Sequence, residues 1–197
     1  MNSTDKHEEL VNRCLERISR DLKERRVEHT KNVAKEALRL AEKYGADEQK
    51  AEIAALLHDI ARNLPEEEMN AYVRELNLDE HYLNNKNLAH SKVGAYLIRR
   101  DFGITDEEIL NAVSYHTTGR ENMTLLEKII FLADAIEPGR TYPAVNKLRA
   151  LAYEDLDKAC AYSLSKTIQY VESRGAYLDP DTAKALEYFK REINQYE

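Results

Sequence analysis

The sequence predicts an all-α protein, a bundle of roughly nine or ten helices, because apolar residues recur with the helical period along nearly the whole chain. Six glycines and four prolines in 197 residues are too few for a turn-rich β fold. No segment alternates as a convincing strand would. The length suits one domain over residues 1–197, with no dividing linker, in which the helices from about residue 144 onward buttress the rest.

Each predicted helix rests on its apolar spacing and on the residues that can begin or end it. The predicted segments are 5–24, 30–44, 47–62, 65–76, about 89–101, 105–116, 124–134, 144–152, 155–174 and 180–195. Thr105 with Glu108, and Thr124 with Glu127, have the spacing of capping boxes that begin two of these helices. The polar, asparagine-rich stretch 77–88 predicts a loop.

Composition excludes several classes of protein. A net charge of −7 argues against a general nucleic-acid binder, which needs a basic surface. No apolar run approaches the roughly 20 residues of a membrane span, and residues 1–10 lack the apolar region of a secretory signal, so a cytoplasmic protein is expected. Cys14 and Cys160 lie far apart at apolar helix positions, which favours buried packing over a disulfide or zinc site.

The most informative feature is the pair His58 and Asp59 within the run ALLHDIARNLP. An adjacent imidazole and carboxylate in an apolar helix are costly to bury unless they are paired or bind a metal ion. A core histidine bonded to its own aspartate is the alternative. Asp134, in the apolar segment KIIFLADAI, has the same need for a cation, which Lys128 or Arg140 could also supply.

Three further histidines, His29, His90 and His116, fall at the start or end of predicted helices. Each alone is more often structural than catalytic, and His7 and His81 lie in polar segments and are interpreted as surface residues. Together the set H…HD…H…H…D offers imidazole and carboxylate ligands without a thiolate, which suits iron, manganese, cobalt or zinc. Two such ions can clamp a phosphoryl group and activate water, so the pattern indicates a metal-dependent phosphohydrolase.

The chain resembles the HD-domain metal-dependent phosphohydrolases and, within them, the YqeK-like symmetrical bis(5′-nucleosyl)-tetraphosphatases. The segments that carry the resemblance are RVEHTKNV at 26–33, AALLHDIARNLP at 54–65, LAHSKVGAYL at 88–97, YHTTGRENMTLLEKIIFLADAIEPGR at 115–140 and RALAYEDLDKA at 149–159. The resemblance implies an all-α HD fold and cleavage of diadenosine tetraphosphate at its central bridge into two ADP. It also implies that ADP or GDP can bind as product-like ligands.

The resemblance also implies roles for individual residues. His29, His58, Asp59 and Asp134 would bind a divalent transition metal, with iron expected and manganese or cobalt as alternatives. His90 and His116 would bind a second ion or the phosphates. In the resulting hypothesis Asp59, His58 and Asp134 are catalytic: Asp59 bridges two ions, and a metal-bound hydroxide attacks an inner phosphorus.

Substrate contacts are predicted from the same segments. The predicted contact residues are His90, His116, Thr117, Thr118, Gly119, Arg140 and Arg62. Arg26, Lys86 and Lys92 are further candidate cations, although solvated helix positions are favoured for the two lysines. Tyr142 or Tyr115 could stack on a purine.

Three functions and two oligomeric states remain open on sequence alone. Another HD-type nucleotide phosphohydrolase and a nucleotide-binding protein with a structural metal are the alternatives to the tetraphosphatase. A homodimer is also considered, because the apolar stripe of residues 10–22 could contact another subunit or pack within the chain.

Overall fold

The computed structural model describes the backbone of residues 3–196 and the side chains of residues 5–194, and within this part of the chain all regular structure is helical. The ten α-helices are α1 (Ser3–Asp21), α2 (Glu24–Tyr44), α3 (Glu48–Leu57), α4 (Glu66–Glu75), α5 (Lys86–Phe102), α6 (Glu107–Tyr115), α7 (Leu125–Ile136), α8 (Val145–Glu154), α9 (Leu156–Ser173) and α10 (Pro180–Tyr196). A short 3₁₀ turn, Glu80–Tyr82, lies between α4 and α5. The predicted all-α class and helix number are confirmed.

The most consequential boundary error concerns the helix predicted over 47–62. Helix α3 ends at Leu57, and His58 is its C-cap. The next backbone bonds run from Ile60 N–H to the Leu57 carbonyl (3.1 Å) and from Arg62 N–H to the Asp59 carbonyl (2.8 Å), which are tighter three-residue spacings. His58 and Asp59 therefore lie where the helix ends rather than inside it.

Two smaller boundary errors concern helix starts. Helix α5 begins at Lys86, so it extends into the stretch predicted as a loop over 77–88. Helix α6 is capped by Asp106 rather than Thr105, because the Asp106 carboxylate accepts the N–H of Glu108 at 2.9 Å. The cap at Thr124 is confirmed, since its hydroxyl accepts the N–H of Glu127 at 3.3 Å.

Buried apolar side chains form a main core and a smaller one. The main core includes α7, which is apolar on nearly every side, and it buries Cys14 and Cys160 as predicted. The smaller core lies between α4, the 3₁₀ turn and α5, around Met69 and Val93. Helix α5 contributes to both, because its Ile98 belongs to the main core.

The elements at the two ends of the chain pack against this main core. Helix α1 packs on α3, and its residues Cys14 and Ile18 are buried together with Leu22, which directly follows the helix, so packing within the chain accounts for much of the apolar stripe. A homodimer therefore stays a prediction. Helix α9 packs against α7, α8 and α10. Within the described chain no helix is long and apolar enough to cross a membrane.

Candidate metal centre

The ends of several helices meet at one point, and the six residues singled out from the sequence converge there. They form three overlapping groups whose possible ligand atoms lie within 4.8 Å of one another. The members of this metal cluster are His29 on α2, His58 and Asp59 after α3, His90 on α5, His116 after α6 and Asp134 on α7.

Asp59 lies at the middle of the metal cluster and divides it in two. Its Oδ2 is 3.4 Å from Nε2 of His58 and 3.9 Å from Nε2 of His29. Its Oδ1 is 3.2 Å from Nε2 of His90 and 3.9 Å from Nε2 of His116. One carboxylate thus faces two pairs of histidines, a geometry suited to bridging.

Asp134 lies beside the first pair of histidines, His29 and His58. Its Oδ1 is 3.0 Å from Nε2 of His29 and 4.0 Å from Nε2 of His58. The Asp134 side chain is 23% exposed, whereas that of Asp59 is 4% exposed, so solvent reaches the cluster on the Asp134 side.

Backbone carbonyls orient two of the histidines. Nδ1 of His58 donates to the Ala55 carbonyl at 2.7 Å, and Nδ1 of His116 donates to the Val113 carbonyl at 2.7 Å. Because a carbonyl oxygen can only accept, Nδ1 carries a proton in each ring, so in the neutral imidazole the lone pair is on Nε2. Nε2 of both rings faces the metal cluster.

His90 has a mixed environment. Its Nδ1 lies 3.0 Å from the Lys86 carbonyl and 3.0 Å from Nη1 of Arg62, while Nη2 of Arg62 donates to Asn87 at 2.9 Å. A hydrogen bond to the carbonyl requires a proton on Nδ1, whereas a hydrogen bond from the guanidinium requires a lone pair on Nδ1. In the neutral ring only the first arrangement leaves the lone pair on Nε2, where it can bind a metal ion.

A carboxylate orients His29. Its Nδ1 lies 3.1 Å from Oε1 of Glu137, which is 3% exposed. Glu137 belongs to the segment LADAIEPGR, and no role was predicted for it from the sequence. Its position three residues after Asp134 could have indicated it, because helix positions i and i+3 lie on the same side.

The electrostatics of the cluster favour a bound cation. Burial would raise the pKa of Asp59, yet His58 and His90 hold it well below its usual range. Burial also lowers the pKa of His116 to about 3, with the charges of His58 and His90 adding to the effect. His58 has a raised pKa in spite of its burial, because Asp59 and Asp134 favour its protonated form.

The donor atoms fit a divalent metal ion. Nε2 of His29 and Nε2 of His58 are buried without a hydrogen-bond partner, although both lie beside carboxylate oxygens. Buried polar atoms normally have partners, so imidazole nitrogens without one, placed next to two carboxylates, have the arrangement expected of ligands to a divalent cation. Nitrogen and oxygen donors of this kind suit a divalent transition metal.

Three arginines border the metal cluster. Arg26 donates to Oδ2 of Asp59 at 2.8 Å, and Arg140 binds the Asp134 carboxylate and its carbonyl. Arg62 contacts His90 as described above. Arg140, predicted as a substrate contact, thus lies at the cluster.

The HTTG segment is only partly at the cluster. Thr117 Oγ1 lies 3.2 Å from Nε2 of His116. Thr118 is fully buried and its hydroxyl donates to the Gly119 carbonyl. Gly119 has a φ of +65°, and a Cβ there would lie 3.3 Å from Leu164 and 3.5 Å from Ala185, which places it against the C-terminal helices. The substrate roles of these three residues stay predictions.

Other residues singled out from the sequence lie away from the metal cluster. Lys92, interpreted as solvated, is half-buried with its Nζ 3.6 Å from the centre of the Tyr115 ring. His7 and His81 are also half-buried rather than at the surface: His7 pairs with Glu52, and His81 stacks on Tyr177. Lys86 is half-buried.

Comparisons with known proteins match the metal cluster and the fold. The model of the HD domain matches residues 26–139, which include all six cluster residues. A protein of Bacillus subtilis named bis(5′-nucleosyl)-tetraphosphatase, symmetrical, is 45% identical over 166 residues, 84% of this chain and 89% of that protein. A protein of the same name from Halalkalibacterium halodurans is 44% identical, over 86% of this chain and 91% of that one.

A solved structure agrees over nearly the full length. A crystal structure from Clostridium acetobutylicum, described as a predicted HD superfamily hydrolase involved in NAD metabolism, superposes with a TM-score of 0.87. It is 40% identical, and the match covers 98% of this chain and 99% of that one. With a family match over more than half of its residues and relatives of this similarity, the chain belongs to the HD-domain family.

Proposed function

We propose that this protein is a symmetrical dinucleoside tetraphosphatase, which hydrolyses diadenosine tetraphosphate at its central bridge to give two ADP. The names of the two relatives described above support this activity, and each relative matches most of the chain. The observation that carries the proposal is Asp59, whose two oxygens face separate pairs of histidines. That arrangement suits a pair of ions acting on a phosphoryl group.

The proposal assigns the ligands to two ions. His29, His58, Asp134 and Oδ2 of Asp59 would hold one, and His90, His116 and Oδ1 of Asp59 the other. Divalent ions bound there would supply an activated water and would neutralise charge on the phosphoryl oxygens. From the resemblance to the HD-domain phosphohydrolases we infer iron as the resident metal, with manganese or cobalt as alternatives, and nitrogen and oxygen donors suit all three.

The arginines would orient the polyphosphate. Arg26 and Arg140 are 31% and 34% exposed, and both reach the carboxylates of the metal cluster from its open side. Their guanidinium groups can bind phosphate oxygens in bidentate fashion as a substrate enters. Cleavage at the central bridge would require the two inner phosphates to lie at the metal cluster, with an outer phosphate on either side.

Tyr142 is the better of the two tyrosines for binding a base. Tyr115 is covered by Lys92 at 3.6 Å and by Arg120 at 4.9 Å from its ring centre. Tyr142 is 38% exposed, and its hydroxyl donates to the carbonyl of Ala135, the residue after Asp134. Its ring is thus held beside the open side of the cluster.

This assignment predicts a difference between two substitutions. Tyr142→Ala should raise KM for diadenosine tetraphosphate about 10-fold, in line with the usual worth of base stacking, while Tyr142→Phe should stay near wild type. Steady-state kinetics with both variants measures this. An unchanged KM in Tyr142→Ala would show that the base binds elsewhere.

The decisive test of the activity is product analysis. Purified protein would be incubated with diadenosine tetraphosphate and Fe²⁺, Mn²⁺ or Co²⁺, and the nucleotides separated by chromatography. ADP as the sole product is expected from the wild type. Asp59→Asn should lose on the order of 1,000-fold in rate, because it removes the shared carboxylate.

A matched control is Asp157→Asn. Asp157 lies on α9 and pairs with Lys128 at 2.7 Å, so its substitution should leave product and rate unchanged. AMP with ATP as products would move the attacked phosphorus and contradict symmetrical cleavage. Release of inorganic phosphate or nucleoside would instead support another HD-type nucleotide phosphohydrolase.

A further inference from the structure

Glu137 is a buried carboxylate at the edge of the metal cluster. Its Oε1 lies 3.1 Å from Nδ1 of His29, and its Oε2 accepts the backbone N–H of Gly139 at 2.6 Å. A carboxylate that is 3% exposed needs such donors to offset its loss of water. The contact with His29 therefore helps to stabilise the buried carboxylate of Glu137.

The turn after α7 has the shape that this carboxylate requires. A Cβ on Gly139 would lie 3.0 Å from both carboxylate oxygens of Glu137, so the absence of a side chain leaves room for them. Arg149, on α8, donates to the carbonyls of Ile136 at 2.8 Å and of Glu137 and Arg140 at 2.9 Å each. Hydrogen bonds from Arg149 thus fix the backbone of the turn that carries Glu137.

We propose that Glu137 is a positioning residue, whose carboxylate accepts a hydrogen bond from Nδ1–H of His29 and so directs the Nε2 lone pair of His29 toward Asp59 and Asp134. This inference rests on the metal-dependent function proposed above. A carboxylate behind a ligand imidazole fixes the ring and raises its basicity, and its loss typically weakens metal binding about 10- to 100-fold. His58 and His116 obtain their orientation from backbone carbonyls instead.

The test measures metal affinity without substrate. Metal-free wild type and Glu137→Gln would be titrated with Mn²⁺ in a calorimeter at one pH. Glu137→Gln should bind Mn²⁺ about 10- to 100-fold more weakly, because one amide cannot accept from both His29 and Gly139. Gly139→Ala should shift affinity in the same direction, since its Cβ would displace the same carboxylate.

Glu127→Gln is a control for burial alone. Glu127 lies on α7, is 1% exposed, and is bound by Arg120 at 2.8 and 2.6 Å. Its substitution should lower thermal stability and leave Mn²⁺ affinity at the wild-type value. A merely structural role for Glu137 would give that same result.

A double substitution tests whether Glu137 acts through His29. In a His29→Gln background, Glu137→Gln should cause no further loss of Mn²⁺ affinity, because the interaction it would remove is already absent. A further loss equal to that seen in the wild-type background would overturn the proposal. So would wild-type affinity in Glu137→Gln alone or, if that variant does not fold, in Gly139→Ala.

The proposed function can fail separately. A wild-type protein that binds Mn²⁺ but leaves diadenosine tetraphosphate intact would overturn the tetraphosphatase, and the affinity comparison would still decide the role of Glu137. A wild-type protein that binds no divalent metal would overturn both.

Discussion

The metal cluster has two sides that are built differently. On the α2–α7 side, His29 and Asp134 are held by side chains, namely those of Glu137 and Arg140, and Asp134 is open to solvent. On the α5–α6 side, His90 and His116 have side chains that are 4% and 1% exposed, and Nδ1 of each ring lies within hydrogen-bond distance of a backbone carbonyl, with Arg62 also contacting His90. The first side is thus suited to exchange with substrate, and the second to rigid support.

One helix of the α5–α6 side also depends on the smaller core. Helices α2, α6 and α7 lie in the main core, whereas α5, which carries His90, packs in both cores. Local stability varies across a protein with the packing beneath each part. The two proposed ions should therefore differ in binding affinity, even though Asp59 would contact both.

The largest expected effect comes from separating the two sides by substitution. His90→Ala should reduce bound metal from two ions to one per chain, because four donors remain on the α2–α7 side. Hydrolysis should fall on the order of 1,000-fold, since charge on the phosphoryl oxygens then has one ion fewer to stabilise it. Elemental analysis with steady-state kinetics measures both.

His29→Ala provides the comparison for that variant. It removes a ligand from the open side and leaves His90, His116 and Asp59 in place. If the two variants lose metal identically, with both ions absent, the division of the cluster into two sides is wrong.

A smaller effect is expected from the smaller core. Met69 is fully buried there, and Met69→Ala should lower the free energy of unfolding by about 3 kcal/mol through lost contacts and a cavity. Ile129→Ala, at a fully buried site of the main core, should cost about as much. Hydrogen exchange should distinguish them: Met69→Ala should loosen α4 and α5 selectively.

Equal loss of protection across all helices in Met69→Ala would contradict this. The two cores would then unfold as one unit, and the α5–α6 side of the metal cluster would have the same local stability as the α2–α7 side.

The smallest effect concerns Lys92, two residues after His90 on the same helix. Burial lowers the pKa of Lys92 to about 8, so the folded protein binds fewer protons there than the unfolded chain does between about pH 8 and 10.5. Its contribution to stability therefore rises with pH across that window. Lys92→Met should stabilise the fold at pH 7 by about 1 kcal/mol, after loss of the contact with Tyr115.

Denaturant unfolding at a series of pH values checks this. The difference in unfolding free energy between Lys92→Met and wild type should shrink as the pH rises from 8 to 10.5. A difference that does not depend on pH would show that burial does not lower the pKa of Lys92.

The sequence predicted much of this architecture for identifiable reasons. The periodic spacing of apolar residues located all ten helices, and His58, Asp59 and Asp134 were found because buried polar groups need partners. The other three histidines were found because they fall at predicted helix ends and complete the set that resembles the HD-domain phosphohydrolases. Residue pattern alone placed His58 and Asp59 inside a helix, since α3 ends at Leu57 without a glycine or proline to mark the end. Similarly, Asp106 rather than Thr105 caps α6.

What the sequence did not show depends on contacts between distant segments. Arg149 binds the turn after α7 from another helix, and nothing near it in the chain indicates that role. The role of Glu137 follows from its contact with His29, which lies 108 residues away in the sequence. Lys92 was interpreted as solvated because its burial depends on how α5 packs against α6.

The different means of orienting the histidines have a consequence for how the metal site can change in evolution. A backbone carbonyl is present whatever residue occupies Ala55 or Val113, so point mutations there leave the acceptor for His58 and His116 in place. The acceptor for His29 is a side chain, which a single codon change can replace. Variation in metal preference among descendants of this protein should therefore be found at position 137 sooner than behind the other two histidines.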